Sequence, residues 1–145
     1  MVALAVVASV WWGAWSGAAV ARAPTKQDPA VVRMAMAEFA TIQAKRGALV
    51  IDVRSPESFS AGHIPGAINI PLDDIATRAR DIVSRAGGRP IVTYCSCVNE
   101  HTSGLAAQAL SAAGVKGVSA LVGGFPAWVK QGGVIERELV LARVS

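Results

Sequence analysis

Five short apolar runs alternate with stretches of helical period between residues 33 and 135, and that alternation limits the fold more than any other feature. The runs lie at 33–36, 48–53 (ALVIDV), 67–70 (AINI), 90–94 (PIVTY) and 118–122 (VSALV). The run at 48–53 is continuously apolar and β-branched up to its aspartate, as a strand buried on both faces would be. Between the runs, 37–46 reads as a helix stopped by Gly47. Ser55 and Pro56 open a short helix that ends near Gly62, with serine as cap and proline at the first helical position. Leu72, Ile75, Ala79, Ile82, Val83 and Ala86 keep the spacing of one amphipathic helix over 72–86, stopped by Gly87 and Gly88. Further helices are predicted at 102–113 and 125–131. Strands alternating with helices at these lengths predict an α/β domain built on a mainly parallel five-stranded sheet flanked by helices, with right-handed crossovers.

In such sheets the site lies at the carboxyl ends of the strands, beside helix N-termini. Only one strand end here runs into reactive residues: IVTYCSCVNEHTS, 91–103. Cys95 follows the strand directly, and Thr102 or Ser103 is expected to cap the next helix. A loop curled between them would aim backbone N–H groups at one point. With the helix dipole, that nest binds anions and stabilises a thiolate, which makes the thiol a nucleophile toward sulfur or phosphorus centres. The chain has two cysteines, Cys95 and Cys97, one residue apart, which excludes both a disulfide framework and a four-cysteine zinc site. Fourteen basic against 10 acidic residues give a net charge of +4, but the basic residues are scattered, with no run longer than Lys45–Arg46. That pattern describes a soluble surface and no nucleic-acid footprint.

Three motifs in order carry a family resemblance. Asp52-Val53-Arg54 is followed by the turn Gly62-His63-Ile64-Pro65-Gly66-Ala67, then Cys95 at a strand end, then Gly123-Gly124 with Trp128. Residues 33–132 thereby resemble the rhodanese-like sulfurtransferase domain. The resemblance implies a small three-layer α/β fold and a cysteine that accepts a sulfane sulfur as a persulfide. It implies a small sulfur-containing donor (thiosulfate, polysulfide or a persulfide) and a thiol or cyanide-like acceptor, including a protein thiol. It implies no metal and no organic cofactor. The persulfide's terminal sulfur is anionic and calls for N–H donors, which a curled loop before a helix supplies.

Carried onto this chain, the resemblance makes Cys95 the nucleophile when counted forward from the strand, and Cys97 when counted back from the expected cap. Cys95 is preferred, because a strand fixes position more firmly than a cap. The partner cysteine then either resolves the persulfide or closes a short-loop disulfide, which would make the pair redox-sensitive. Ser96, Cys97, Val98, Asn99, Glu100, His101 and Thr102 form the candidate loop. It departs from many thiosulfate-using relatives in carrying no Lys or Arg. A Glu100 carboxylate beside the thiolate would raise its pKa and repel thiosulfate. His101 is either a compensating donor or a solvated loop histidine. Asp52 and Arg54 read as a charge pair under the site, His63 as a hydrogen bonder fixing its turn, Asn99 as a loop stabiliser and Trp128 as core or pocket wall.

Three other readings use the same residues. A phosphatase of this fold needs arginine six positions after its cysteine to clamp an oxyanion; His101 and Ser103 stand there instead. Cys95, Cys97 and His101 are soft ligands that would suit Cu(I) or Zn in a metal-binding or redox-sensing module. A non-catalytic interaction domain would have no need of the cysteine.

Residues 1–21 carry no charged side chain. Residues 1–23 are read as a signal peptide or membrane anchor, with small-x-small cleavage patterns at 19–21 and 21–23. The expectation is an exported (periplasmic or secreted) or membrane-anchored protein. Residues 24–32 read as a linker, 33–135 as the domain and 136–145 as a tail.

Overall fold

A computed structural model describes residues 30–138. The expected signal or anchor segment and most of the linker lie outside these residues. Among the described residues, no helix is long and apolar enough to cross a membrane.

Five strands form one sheet: β1 (Arg33–Met34), β2 (Leu49–Asp52), β3 (Ile68–Asn69), β4 (Ile91–Tyr94) and β5 (Val118–Leu121). Their spatial order is β1-β5-β4-β2-β3, and every pair is parallel. The central strands β2, β4 and β5 are buried along their whole length. This is why their sequences run apolar instead of alternating.

The helices are α1 (Met36–Ala44), α2 (Pro56–Ala61), α3 (Leu72–Ile75), α4 (Ala79–Ala86), α5 (His101–Ala112) and α6 (Gly124–Lys130). The period-two side-chain alternation of the strands sorts the core into two layers. Leu49, Ile51 and Ile91 face Ile75, Ile82 and Leu110 of α3, α4 and α5. Val50, Val92 and Tyr94 face Phe39 of α1 and Phe59 of α2, with Phe125 and Trp128 of α6 packed alongside. The result is three layers, helices on both faces of the sheet.

The single helix expected over 72–86 is two helices. Arg78 leaves the helical region at φ −96°, ψ 8°. The Asp74 carbonyl accepts from both the Arg78 N–H and the Thr77 hydroxyl at 3.0 Å. Val83, expected on the buried face, is 48% exposed. The strand expected over 33–36 stops at Met34, because Met36 already begins α1.

Chain 136–138 folds back onto the turn at 62–66. Glu136 exchanges backbone hydrogen bonds with His63 at 2.9 and 3.0 Å, and Glu138 N–H donates to the Ser60 carbonyl at 3.1 Å.

Candidate active site

The carboxyl ends of β2 and β4 lie side by side, with Asp52 paired to Tyr94 in the register. Each strand end carries a different kind of structure.

Beyond β2 the groups are fully paired. Asp52 is completely buried. Its Oδ1 accepts from the Arg54 backbone N–H and from Nε, both at 2.9 Å, and its Oδ2 accepts from the guanidinium at 2.6 Å. The guanidinium also donates to the Gly62 carbonyl at 2.7 Å. Asn69 ties the same corner from β3, donating to the Asp52 and Arg54 carbonyls at 3.0 and 2.9 Å. Burial alone would lower the Arg54 pKa, but hydrogen bonding to Asp52 and its charge outweigh that, and the net shift is upward. The Arg54 guanidinium lies 4.1 Å from the Phe125 ring centroid and 5.6 Å from that of Tyr94. The Tyr94 hydroxyl accepts from Ile64 N–H at 3.1 Å. His63 is buried, stacked on Phe59 at 3.7 Å, with Nδ1 2.9 Å from the Phe59 carbonyl. It fixes the turn leading into β3 and lies outside the cysteine loop.

Beyond β4 the chain passes from Cys95 through residues 96–100 into α5. Cys95 is buried, whereas Ser96, Cys97 and Asn99 are exposed. Asn99 and Glu100 both hold left-handed backbone, φ 58° and 52°. Glycine would take such angles freely, and two non-glycine residues in succession need the surroundings to hold them. Helix α5 begins at His101 and has no side-chain cap, in place of the Thr102 or Ser103 cap expected. The loop is therefore five residues long. The backward count from a later cap, which favoured Cys97, loses its anchor.

Cys95 and Cys97 are joined as a disulfide pair, with Cα atoms 5.7 Å apart. The loop's donors are divided between the two sulfurs instead of meeting at one point. Cys97 N–H points at Cys95 Sγ at 3.4 Å, and Thr102 N–H, in the first turn of α5, points at Cys97 Sγ at 3.3 Å. Ser103 Oγ lies 3.6 Å from Cys95 Sγ and donates to the Glu100 carbonyl at 3.1 Å. The Cys95 backbone is pinned from α6: Phe125 N–H donates to its carbonyl at 2.9 Å. A Cβ on Gly124 would collide with that same carbonyl. Gly124 is thus required here by close approach as well as by its φ of 52°.

Glu100 does not stand free beside the sulfurs. It is buried, and its Oε1 accepts from Gly123 N–H at 2.7 Å while its Oε2 accepts from Arg33 at 2.8 Å. One carboxylate therefore fastens the cysteine loop both to the turn after β5 and to β1. Its charge is met by Arg33, which removes much of the repulsion expected toward an anionic donor. His101 is exposed at the start of α5. Among the described residues, no three His, Cys, Asp or Glu side chains are grouped so as to hold a metal ion. His101 is accordingly not gathered with both cysteines, as the soft-metal reading requires.

Sequence reasoning missed Arg33, Ser103 and Gly124 as parts of the site. Arg33 is 67 positions from its partner, and no local pattern announces such a pair. A pocket of about 370 Å³ opens between Arg54, Phe125, Val129 and Arg137. A larger one, about 550 Å³, lies beside the amino ends of β2 and β4, lined by Gln43, Arg46, Arg89 and Trp128 and not by the cysteines.

A family model described as rhodanese-like domain matches residues 35–131. The chain is 42% identical over 83 residues to the uncharacterized protein YqhL of Bacillus subtilis, covering 57% of this chain and 62% of that one. It is 33% identical over 87 residues to the thiosulfate sulfurtransferase GlpE of Pseudomonas putida, covering 60% and 74%. A crystal structure of a Bacillus halodurans protein superposes with a TM-score of 0.61 at 32% identity, covering 74% of this chain and 78% of that chain. The matches span less than two thirds of the first relatives' own length: 62% of the Bacillus subtilis protein, 19% of a Mycobacterium tuberculosis transcriptional regulator and 44% of a Synechocystis protein.

Proposed function

Given that this chain belongs to the rhodanese-like domain family, we propose that it is a sulfurtransferase whose Cys95 carries the sulfur. The Cys95 thiolate attacks the sulfane sulfur of thiosulfate or of a polysulfide. Sulfite or a shortened polysulfide leaves, and a Cys95 persulfide remains. A thiophilic acceptor, cyanide or a thiol, then takes the terminal sulfur and regenerates the thiolate. The pair must be reduced before this cycle begins.

The observation that carries the reading is the placement of Cys95. It sits at the carboxyl end of β4, separated from α5 by the loop 96–100, with Cys97 N–H pointing at Sγ. A donor fixed in that position favours the thiolate and the anionic persulfide over the neutral thiol.

The test is mass spectrometry of the reduced protein after thiosulfate or polysulfide, with the Cys95→Ser variant as companion. A gain of about 32 Da, one added sulfur, is expected on the Cys95 peptide of any chain in which the persulfide is trapped. Loss of thiocyanate formation from cyanide is expected in Cys95→Ser. Thiocyanate formation that survives in Cys95→Ser overturns the choice of cysteine, and a wild type that forms no thiocyanate with either donor overturns the activity.

The uncharged run at 1–21 supports placing this activity outside the cytoplasm or at a membrane. Recovery of the intact chain in the soluble cytoplasmic fraction overturns that placement.

A further inference from the structure

We propose that Cys97 resolves the Cys95 persulfide, so that the protein also reduces sulfane sulfur and releases it as sulfide. This rests on the persulfide reading above and names what becomes of the sulfur when no acceptor intervenes.

Three observations lead there. The two Sγ atoms meet, on residues whose Cα atoms are 5.7 Å apart, so Cys97 reaches the sulfur that would bear the persulfide. Cys97 is exposed in the loop, and its sulfur meets the first turn of the twelve-residue helix α5, with Thr102 N–H 3.3 Å away. The orphan N–H groups and the dipole of a helix start favour the thiolate there. The loop thus supplies separate donors to two sulfurs, where a simple sulfur carrier needs them on one.

The step balances as follows. The Cys97 sulfur attacks Cys95 Sγ, and the Cys95–Cys97 bond forms. The bond from Cys95 Sγ to the terminal sulfur breaks, and that sulfur departs with the electron pair as HS⁻, taking the Cys97 proton. The sulfane sulfur is reduced, and the two cysteines are oxidised to the disulfide that the structure displays. A second turnover needs an external dithiol, which reopens the pair by thiol–disulfide exchange. The partner implied is therefore a dithiol reductant in addition to the sulfur donor. The exposed member of the pair, Cys97, is the sulfur such a dithiol can reach.

The experiment compares the reduced full chain with Cys97→Ser and Cys97→Ala under anaerobic conditions, each given thiosulfate and no reductant. Wild type is expected to end about 2 Da lighter, with the pair closed, after releasing about one sulfide per chain. The two variants are expected to hold about 32 Da more on Cys95 and to release no sulfide. With a dithiol added, wild type is expected to release sulfide continuously. If wild type keeps its extra sulfur on Cys95 and releases none, the inference fails and the sulfurtransferase reading stands. If the added sulfur is found on Cys97, it is relayed instead of reduced, and the inference fails. If neither variant gains sulfur, the sulfurtransferase reading fails and takes the inference with it. Two variants of different polarity guard against the failure of either one to fold.

Discussion

The ends of β2 and β4 are neighbours in the sheet and opposites in construction. At the end of β2, a buried carboxylate, a guanidinium, an amide and three carbonyls satisfy one another across no more than 17 positions of sequence. At the end of β4, the loop holds two successive residues in left-handed backbone, exposes one of its two cysteines, and is fastened by a single carboxylate whose partners lie far away in the chain. One end is a closed network that fixes geometry. The other is a strained span that carries the two sulfurs proposed to react. The contrast is one of support: rigidity is built in the paired corner, and the cysteine loop is tied down through Glu100, Gly124 and Phe125.

The largest effect should come from opening the closed network. Asp52→Ala leaves the Arg54 guanidinium buried without its anion, and breaking a buried pair on one side costs about 3–5 kcal/mol. Urea unfolding of the reduced protein measures it. Asp52→Asn, which keeps the shape and one acceptor, should fall between the variant and wild type. A loss under about 1 kcal/mol would mean that the pair is as dispensable as a surface ion pair, and the contrast between the two strand ends would dissolve.

The next effect concerns the fastening of the loop. Glu100→Ala strands the Gly123 N–H and removes the anchor of the left-handed turn, a loss of about 1–3 kcal/mol. Its effect on sulfur loading at Cys95 should exceed what the stability change accounts for, since the fully folded fraction also loads more slowly. Glu100→Gln, which can still accept from Gly123 N–H, should recover most of the loading rate but not the charge pair with Arg33. Equal loading in all three proteins would show that the loop keeps its shape without Glu100.

How much of this was readable in advance follows from the range of the interactions involved. The five strands, their parallel arrangement and the position of Cys95 came from local patterns: apolar runs, glycine stops, and a polar stretch after one strand. The Ser55 cap was also local, and its hydroxyl accepts from Ser58 N–H at 3.3 Å. Glu100 was read from its neighbours as a charge beside the thiolate. The real determinant is Arg33, which reaches it only because β1 joins the sheet next to β5. The helix break at 76–78 is not visible in the periodicity, because the spacing of apolar residues continues across it while the backbone of Arg78 does not stay helical. The cap position of α5 is Glu100, two to three positions before the expected Thr102 or Ser103, because serine and threonine are ordinary caps and here neither caps the helix.

At neutral pH the smallest effect belongs to Tyr94, yet its titration sharpens the contrast most directly. It is the chain's only tyrosine, so tyrosinate absorbance reports this site alone. Burial, and secondarily the negative charge of Asp52, push its pKa well above the ordinary 10.0. The folded state therefore holds the phenolic proton more tightly than the unfolded chain does. The stability from this group is complete below pH 10.0 and is lost as the pH rises above it toward the folded value. Tyrosinate absorbance should thus stay flat past pH 10.0 and then rise together with the loss of circular dichroism, both in one cooperative step. Asp52→Asn removes the charge but not the burial, so it should lower the onset without restoring ordinary titration. A smooth tyrosinate curve centred near 10.0 in the folded protein would mean that water reaches the Tyr94 hydroxyl beneath Arg54. The corner beyond β2 would then be no more closed than the loop beyond β4.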